Sequence, residues 1–365
     1  MLDVGEISKW EREVISWGYS EDLPWGNDGG GIGGDMGELV SDFEVTEIPA
    51  YLPSGSGEHV YLWIEKVELT TLEVFRRIEE AFGVREIDVG YAGKKDVRAR
   101  TRQWYSVRFA GDPSEGVSAL SQTPGLRVLE ATRHHNKLRM GHLKGNRFRV
   151  NLYGVREGAA VIESQCRRLS EEGFINYFGK QRFGYEFGNV SRGIGVLRGE
   201  FARHQMKKLY VSALQSAVFN LYAGRRIAEK GYEVCKGDVL QKLGAGCFIC
   251  MDPETDDVRA RQGEVVVTGA LPGRKVMQGS GYTADLERRC VRDFGLRPEG
   301  ESAGGDDFEG AKKFGEGARR ALWVRPEDLL FERCSEDRMT VEFSLPSGSY
   351  ATVLLRHLCG STFSR

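Results

Sequence analysis

Alternating apolar positions stand near both ends of this 365-residue chain, with helical patterns between them, and that arrangement constrains the fold most. DFEVTEI places Phe43 and Val45 at period two, and VYLWIEKV alternates Val60, Leu62 and Ile64 against Tyr61 and Trp63. Met339, Val341, Phe343 and Leu345 repeat the spacing near the C-terminus, and a second late strand is expected over 350–355. Period two sends alternate side chains to opposite faces of a sheet, so these segments read as strands. Further strands are expected at 103–109, 127–132 and 147–152, and helices over 70–83, 158–172 and 208–230. In the first helix Thr70 and Glu73 have capping-box spacing, Phe75, Ile78 and Phe82 make an apolar stripe, and Gly83 ends it. Gly173 is placed to stop the second, and Leu214, Val218 and Leu221 share one face of the third. Strands at both ends with helices between predict an α+β fold whose terminal strands join one sheet, with a separate unit inserted. The chain carries no internal repeat.

Length and composition set the class. A chain this long holds two domains at roughly 100–200 residues each. With 40% hydrophobic residues it can bury a sizeable core. No apolar run approaches the roughly 18–20 residues that span a bilayer, and the N-terminus lacks the apolar stretch of a signal peptide. Seven scattered cysteines suit a reducing cytoplasm. The first 40 residues and the acidic, Gly-rich stretch 298–318 are expected to be flexible.

Three short patterns lead nowhere. Gly29, Gly31 and Gly34 satisfy G-x-G-x-x-G, but they precede a strand where a dinucleotide loop requires strand, loop, then helix. Cys247 and Cys250 form a C-x-x-C without the second pair that zinc needs, and GCFICM reads as a buried strand. His134 and His135 have no ligand partner at helical spacing and read as part of a basic loop or as solvated residues. No metal and no cofactor is expected.

The net charge of −2 hides an asymmetry. Residues 91–210 carry 23 Lys and Arg against 10 Asp and Glu, while the remainder carries 28 against 43. Such a division can give a near-neutral protein one basic face, suited to a polyanion. Within that region, GYAGKKDVRARTRQWYSV holds a single acid, Asp96, among Lys94, Lys95, Arg98, Arg100 and Arg102. Cations favour the ionised form of a carboxylate, so Asp96 is expected to stay charged at neutral pH. An ionised Asp near a phosphate-binding surface is a candidate nucleophile or base. The plainer reading is a turn Asp paired with surface arginines.

The same segment resembles the signature of the TruD family of tRNA pseudouridine synthases, through Gly90, Ala92, Gly93, Lys95, Asp96, Ala99, Thr101, Gln103 and Trp104. DFEVTE (42–47), GSGEHVYLWIEK (55–66), LRMGHLKGNRF (138–148), NYFGKQRFG (176–184), SALQSAVFN (212–220), TGALPGR (268–274) and LPSGSYATVLLR (345–356) continue the likeness in order. It spans roughly residues 31–358. Several long motifs in sequence are far more specific than one short pattern.

The resemblance implies a pseudouridine synthase fold, a mainly antiparallel mixed sheet flanked by helices. Residues 36–200 and 320–358 would form this discontinuous catalytic domain. An inserted α/β domain would occupy 201–319, between a flexible segment 1–35 and a tail 359–365. It implies Asp96 as the catalytic aspartate, and Phe43, Asn176, Phe178 and Tyr350 as contacts to the target nucleotide, with RNA in a cleft between the two parts. Lys95, Arg98, Arg139, Lys144, Arg147 and Arg182 are the expected RNA-binding cations. The implied substrate is tRNA, with uridine 13 the family's usual target, in the cytoplasm, without a protein partner. The reaction breaks the N1–C1′ bond, turns the uracil and rejoins it through C5. Asp96 could attack C1′ or remove the C2′ proton.

Two positions depart from the family pattern. Gly37 stands where members usually carry Lys, a partner for the carboxylate or a phosphate, and Lys94, Lys95 or Arg98 are the candidates to replace it. His357 stands where they carry Glu. Gly37 keeps open an alternative of another class, a non-catalytic RNA-binding or RNA-folding factor on the same scaffold. A glycosidase-like hydrolase would need a second acid near Asp96, and the segment has none.

Overall fold

In a computed structural model of the chain, residues 23–25, 30–242, 244–296, 314–360 and 363 are described, with the side chain of Gln205 excepted. They divide into two compact units. One comprises the described residues of Gly30–Gly173, Arg325–Ala351 and Leu358–Arg365; the other comprises those of Met1–Gly29, Phe174–Val324 and Thr352–His357. The break at Gly173 falls earlier than the boundary expected near residue 200, because the helices on either side of residue 200 pack on each other within the second unit.

Along the first stretch run β1 (Gly33–Met36), β2 (Phe43–Pro49), β3 (His59–Val67), α1 (Thr71–Phe82), β4 (Val89–Tyr91), β5 (Arg100–Arg108), α2 (Ser114–Ser121), β6 (Leu126–His134), β7 (Leu143–Val155) and α3 (Ala159–Glu172). Helix α1 starts as its sequence predicts. Thr70 Oγ1 accepts from the Glu73 N–H at 3.0 Å and Glu73 accepts from the Thr70 N–H at 2.6 Å. Gly83 closes it in the left-handed region, at φ 60°. The buried face is Thr71, Val74, Ile78 and Phe82, with Phe75 at its margin. It covers Val60, Leu62 and Ile64 of β3 and Tyr105 and Val107 of β5. The opposite face of β3 is not solvated: Tyr61 is buried beside Trp104 and Leu138, with Trp63 at the edge. The two alternating sets of β3 thus go to opposite faces, and both faces are covered.

The glycine-rich tract before residue 40 is more ordered than its composition predicts. Leu23 and Trp25 are buried, and β1 pairs antiparallel with β7. The remaining N-terminal residues of that expectation, 1–22 and 26–29, lie outside the described residues, as do 298–313 of the expected acidic loop.

The second unit contains β8 (Phe174–Ile175), α4 (Gly188–Leu197), α5 (His204–Lys230), β9 (Val239–Lys242), β10 (Cys247–Ile249), α6 (Pro253–Arg261), β11 (Val265–Leu271), α7 (Tyr282–Asp293), β12 (Ala318–Ala321) and β13 (Trp323–Val324). Its sheet runs β10-β9-β11-β12, every pair antiparallel, and β8 pairs with β13. Leu214, Val218 and Leu221 are buried on α5 as their spacing predicts. The strand at GCFICM exists, but Cys247 and Phe248 are only partly buried and Ile249 is exposed, because β10 is an edge strand.

The chain then returns to the first sheet with β14 (Glu327–Arg333) and β15 (Arg338–Pro346). The order is β14-β15-β7-β2-β5-β3-β6, with β1 on β7 and β4 on β5. Early and late strands thus share one sheet, antiparallel except for β2 beside β5. The expected strand at 350–355 is instead helix α8 (Ala351–Cys359). Val353, Leu354, Leu355 and Leu358 are all buried, and a short apolar run buried on several sides carries no periodicity that separates helix from strand.

Candidate active site

Asp96 lies on the connection between β4 and β5, and four buried groups fix that connection. Lys66, fully buried at the end of β3, donates from Nζ to the Asp96 carbonyl at 2.8 Å and to the Leu69 carbonyl at 2.7 Å. Thr71 Oγ1 accepts from the Lys95 N–H at 3.0 Å. Gln103 donates to the Gly93 carbonyl at 3.0 Å. Glu47 accepts from Lys95 Nζ at 3.1 Å and from the Trp104 N–H at 3.3 Å. Gly90 is required by space: a Cβ there would stand 2.1 Å from the Leu138 carbonyl. The motif residues around Asp96 therefore mostly hold the loop rather than meet a substrate.

Asp96 itself is exposed. The protein crowded behind it raises its carboxyl above the usual range, and Lys66 first, then Lys95, pull the other way. Burial and cations therefore act on its charge in opposite directions. Burial also lowers the Lys66 ammonium to about 8, against the pull of Asp96.

The cations that surround Asp96 in sequence disperse in space. Lys95 is not an RNA-facing residue: its side chain is 3% exposed and paired with the wholly buried Glu47. Burial raises the Glu47 carboxyl and Lys95 opposes it. Arg100 and Arg102 point to the other sheet face, where Glu44 and Glu65 meet them across the strands. Lys94 and Arg98 are exposed, with no ion pair among the described residues. Arg139 and Lys144 are exposed as well, while Arg147 shares Glu342 with Arg149, at 2.8 and 3.2 Å.

Phe43 is buried and stacks on Phe148 with ring centroids 6.0 Å apart; Phe148 stacks in turn on Phe343 at 5.3 Å. This ladder crosses β2, β7 and β15. Tyr350 is half-buried in the turn between β15 and α8. Gly37 is closed to any longer side chain: its Cβ would fall 2.1 Å from Asp42 Oδ2. Asp42 is held there by Asn151 at 3.1 Å and the Tyr153 hydroxyl at 3.0 Å. The cation beside Asp96 comes from Lys66, which the sequence reading did not single out.

In the other unit, Asn176 and Phe178 are organised by one arginine. Arg320 donates to the Asn176 side-chain oxygen at 2.8 Å and to its carbonyl at 3.0 and 3.1 Å. The same guanidinium lies 4.0 Å over the Phe178 ring. Asn220 accepts from the Phe178 N–H and donates to its carbonyl. Arg182 lies 5.8 Å from the ring and donates to Ser216 at 3.3 Å, so it too packs at this cluster. His357 is buried between the rings of Trp25 and Phe174, which explains an aromatic residue there.

The remaining candidates are structural. Among the described residues no group of three His, Cys, Asp or Glu is placed to hold a metal. Gly34 sits inside β1, and Gly31 packs on the backbone of Cys359 and Gly360. His134 ends β6 and stacks on Tyr51 at 5.1 Å, so it is not in a loop. No described helix is long and apolar enough to cross a membrane.

A family model described as tRNA pseudouridine synthase D (TruD) matches residues 24–203 and 200–358. The chain is 40% identical over 339 residues to a tRNA pseudouridine synthase D of Anaeromyxobacter sp. (strain Fw109-5), covering 90% of this chain and 93% of that one. It is 36% identical over 342 residues to a tRNA pseudouridine synthase D of Thermus thermophilus, covering 93% and 90%. The TruD crystal structure from Methanosarcina mazei superposes with a TM-score of 0.69 at 20% identity, over 97% of this chain and 98% of the other, which shows the shared fold.

Proposed function

The chain belongs to the tRNA pseudouridine synthase D family and is an isomerase that acts on tRNA, and from that premise we propose Asp96 as its catalytic carboxylate and uridine 13 as its target. One observation carries the assignment. Asp96 is an exposed residue on a loop held from behind by buried groups, with the Lys66 bond on its own carbonyl. A rigid loop carrying one acid is what positioned covalent or proton-transfer chemistry needs. The carboxylate attacks C1′ or takes the C2′ proton, the N1–C1′ bond breaks, and the freed uracil turns to present C5. The raised carboxyl favours either role, since a stronger base is also a better nucleophile at carbon.

The target base must leave its stack, which costs a few kcal/mol. Phe178, Asn176 and Tyr350 are assigned to receive it. Arg98, Arg139 and Lys144, exposed on the unit that carries Asp96, are assigned to phosphates. Phe43, stacked on Phe148, is assigned to the same nucleotide. Incubating the protein with unmodified tRNA and mapping pseudouridine tests the reading. Modification at position 13, absent with Asp96→Asn, is the expected result; modification elsewhere removes the target, and activity in the variant removes Asp96.

A further inference from the structure

The segment that joins α4 to its neighbours exposes two aromatic rings in a basic setting. Tyr185 is 88% exposed before α4 and Phe201 is 95% exposed after it. Each holds a large apolar face open to solvent, available for stacking. Residues 180–208 carry seven Lys and Arg against two acids, Glu186 and Glu200. Lys180, Arg203, Lys207 and Lys208 are exposed, and none has an ion pair among the described residues. Exposed Arg192 leans on Tyr210 at 5.4 Å rather than on an acid.

Two local features run against ordinary stability. Arg203 is the N-cap residue of α5 and gives no side-chain cap, and Lys207 and Lys208 follow soon after with no acid in the first turn. Cations at that end face the positive pole of a 27-residue helix, an arrangement that repels itself until an anion arrives. Beside Tyr185, Glu186 and Phe187 both take left-handed backbone, at φ 47° and 58°. Phe187 stacks back on Phe183 at 5.9 Å while Tyr185 stays in solvent. The stack on Phe183 offsets the strained turn, whereas the cations at the start of α5 have no acid in that turn to offset them.

We infer that the α4–α5 hairpin is a second RNA-docking surface, which takes unstacked nucleotides of the tRNA other than the reacting uridine. This rests on the tRNA reading above. Charge selects the partner: unpaired cations fit a phosphate backbone, and open rings fit bases, whose π-faces stack without regard to sequence. Helix α4 has ten residues and so runs about 15 Å between the segments that carry the two rings. A single-stranded loop of several nucleotides spans that distance, with Lys207, Lys208 and Arg203 for its phosphates.

The test uses the full chain and unmodified tRNA. Tyr185→Ala with Phe201→Ala should raise the Kd for tRNA about tenfold or more, as loss of base stacking does. Arg203→Gln, Lys207→Gln and Lys208→Gln together should reduce the slope of log Kd against log salt by about two to three, close to one per phosphate released. Both variants should keep the wild-type melting temperature and the single-turnover rate at saturating protein, since all five residues are exposed and none is assigned to the reacting uridine. A p-azidophenylalanine placed at 201 should crosslink to tRNA. Wild-type Kd and salt slope in both variants would overturn the inference. So would loss of wild-type self-association in the Ala variant with tRNA binding unchanged, which makes the rings a protein contact. A wild-type protein that leaves tRNA unmodified sinks the tRNA reading instead, so the two failures are distinct.

Discussion

The guanidinium of Arg320 lies 4.0 Å over the ring of Phe178 while it donates to the side-chain oxygen of Asn176 at 2.8 Å. One side chain thus sets two of the residues proposed to meet the uridine. Arg320→Met keeps most of the apolar contact with the ring but drops the hydrogen bonds. It should lower the single-turnover rate about 10- to 100-fold and leave the tRNA Kd within about threefold, since misplaced reacting groups slow chemistry more than they weaken phosphate-dominated binding. Arg320→Lys should recover only part of the rate, because an ammonium cannot make the forked contact. A rate unchanged in both variants would make the clamp purely structural.

Asp96→Asn should abolish turnover and leave the tRNA Kd within a few-fold. The direction of the carboxyl's shift adds a second outcome. A carboxyl raised in the folded state binds its proton more tightly there than in the unfolded chain. Its ionised form therefore works against folding above the unfolded value, and stability rises as pH falls between the two values. Asn removes that unfavourable charge. The variant should melt at the wild-type temperature or above it at pH 7, and a large fall in melting temperature contradicts this account of the loop.

Lys66 gives the pH dependence an alkaline edge. Its ammonium is lowered to about 8 from an ordinary 10.5, so between those values the unfolded chain holds a proton that the folded chain has released. Stability should rise with pH across that window. Activity should fall through the same edge, as the charge beside Asp96 disappears. Lys66→Met should flatten both profiles there and cut the rate at pH 7, where the wild type is still largely charged. An alkaline limb that survives in Lys66→Met belongs to another group.

These residues show what a sequence discloses and what it withholds. The start and stop of α1 are readable because Thr70, Glu73 and Gly83 each act on backbone within a turn of the helix end they mark. Shared sheet membership of the early and late strands is readable from period two. Lys66 is not, because its partner is a backbone carbonyl 30 residues away, and a carbonyl has no residue type. Lys95 misleads for a similar reason: Glu47 meets it from a strand 48 residues earlier, so in sequence it looks like one more surface cation. The apolar run at 350–355 is buried on several sides as α8, which erases the alternation a strand would need. The motif singles out Asp96, and only the fold shows that its neighbours hold the loop.

The cations that the sequence assigns to phosphate fall into three classes, and salt titration should separate them. Lys144 and Arg139 are exposed and unpaired among the described residues, so Lys144→Ala and Arg139→Ala should each reduce the slope of log Kd against log salt by about 0.9 at most. Arg147 already shares Glu342 with Arg149, and a phosphate must compete with that carboxylate. Arg147→Ala should change the slope less, and Glu342→Gln should tighten binding by freeing both arginines. Lys95 belongs to neither class. Lys95→Ala leaves Glu47 charged and buried without its partner, which costs about 3–5 kcal/mol of stability. Its damage should appear as a lower melting temperature and lost rate, with the salt slope of the folded fraction unchanged. A slope that falls by about one in Lys95→Ala, with melting intact, would return this lysine to the RNA surface.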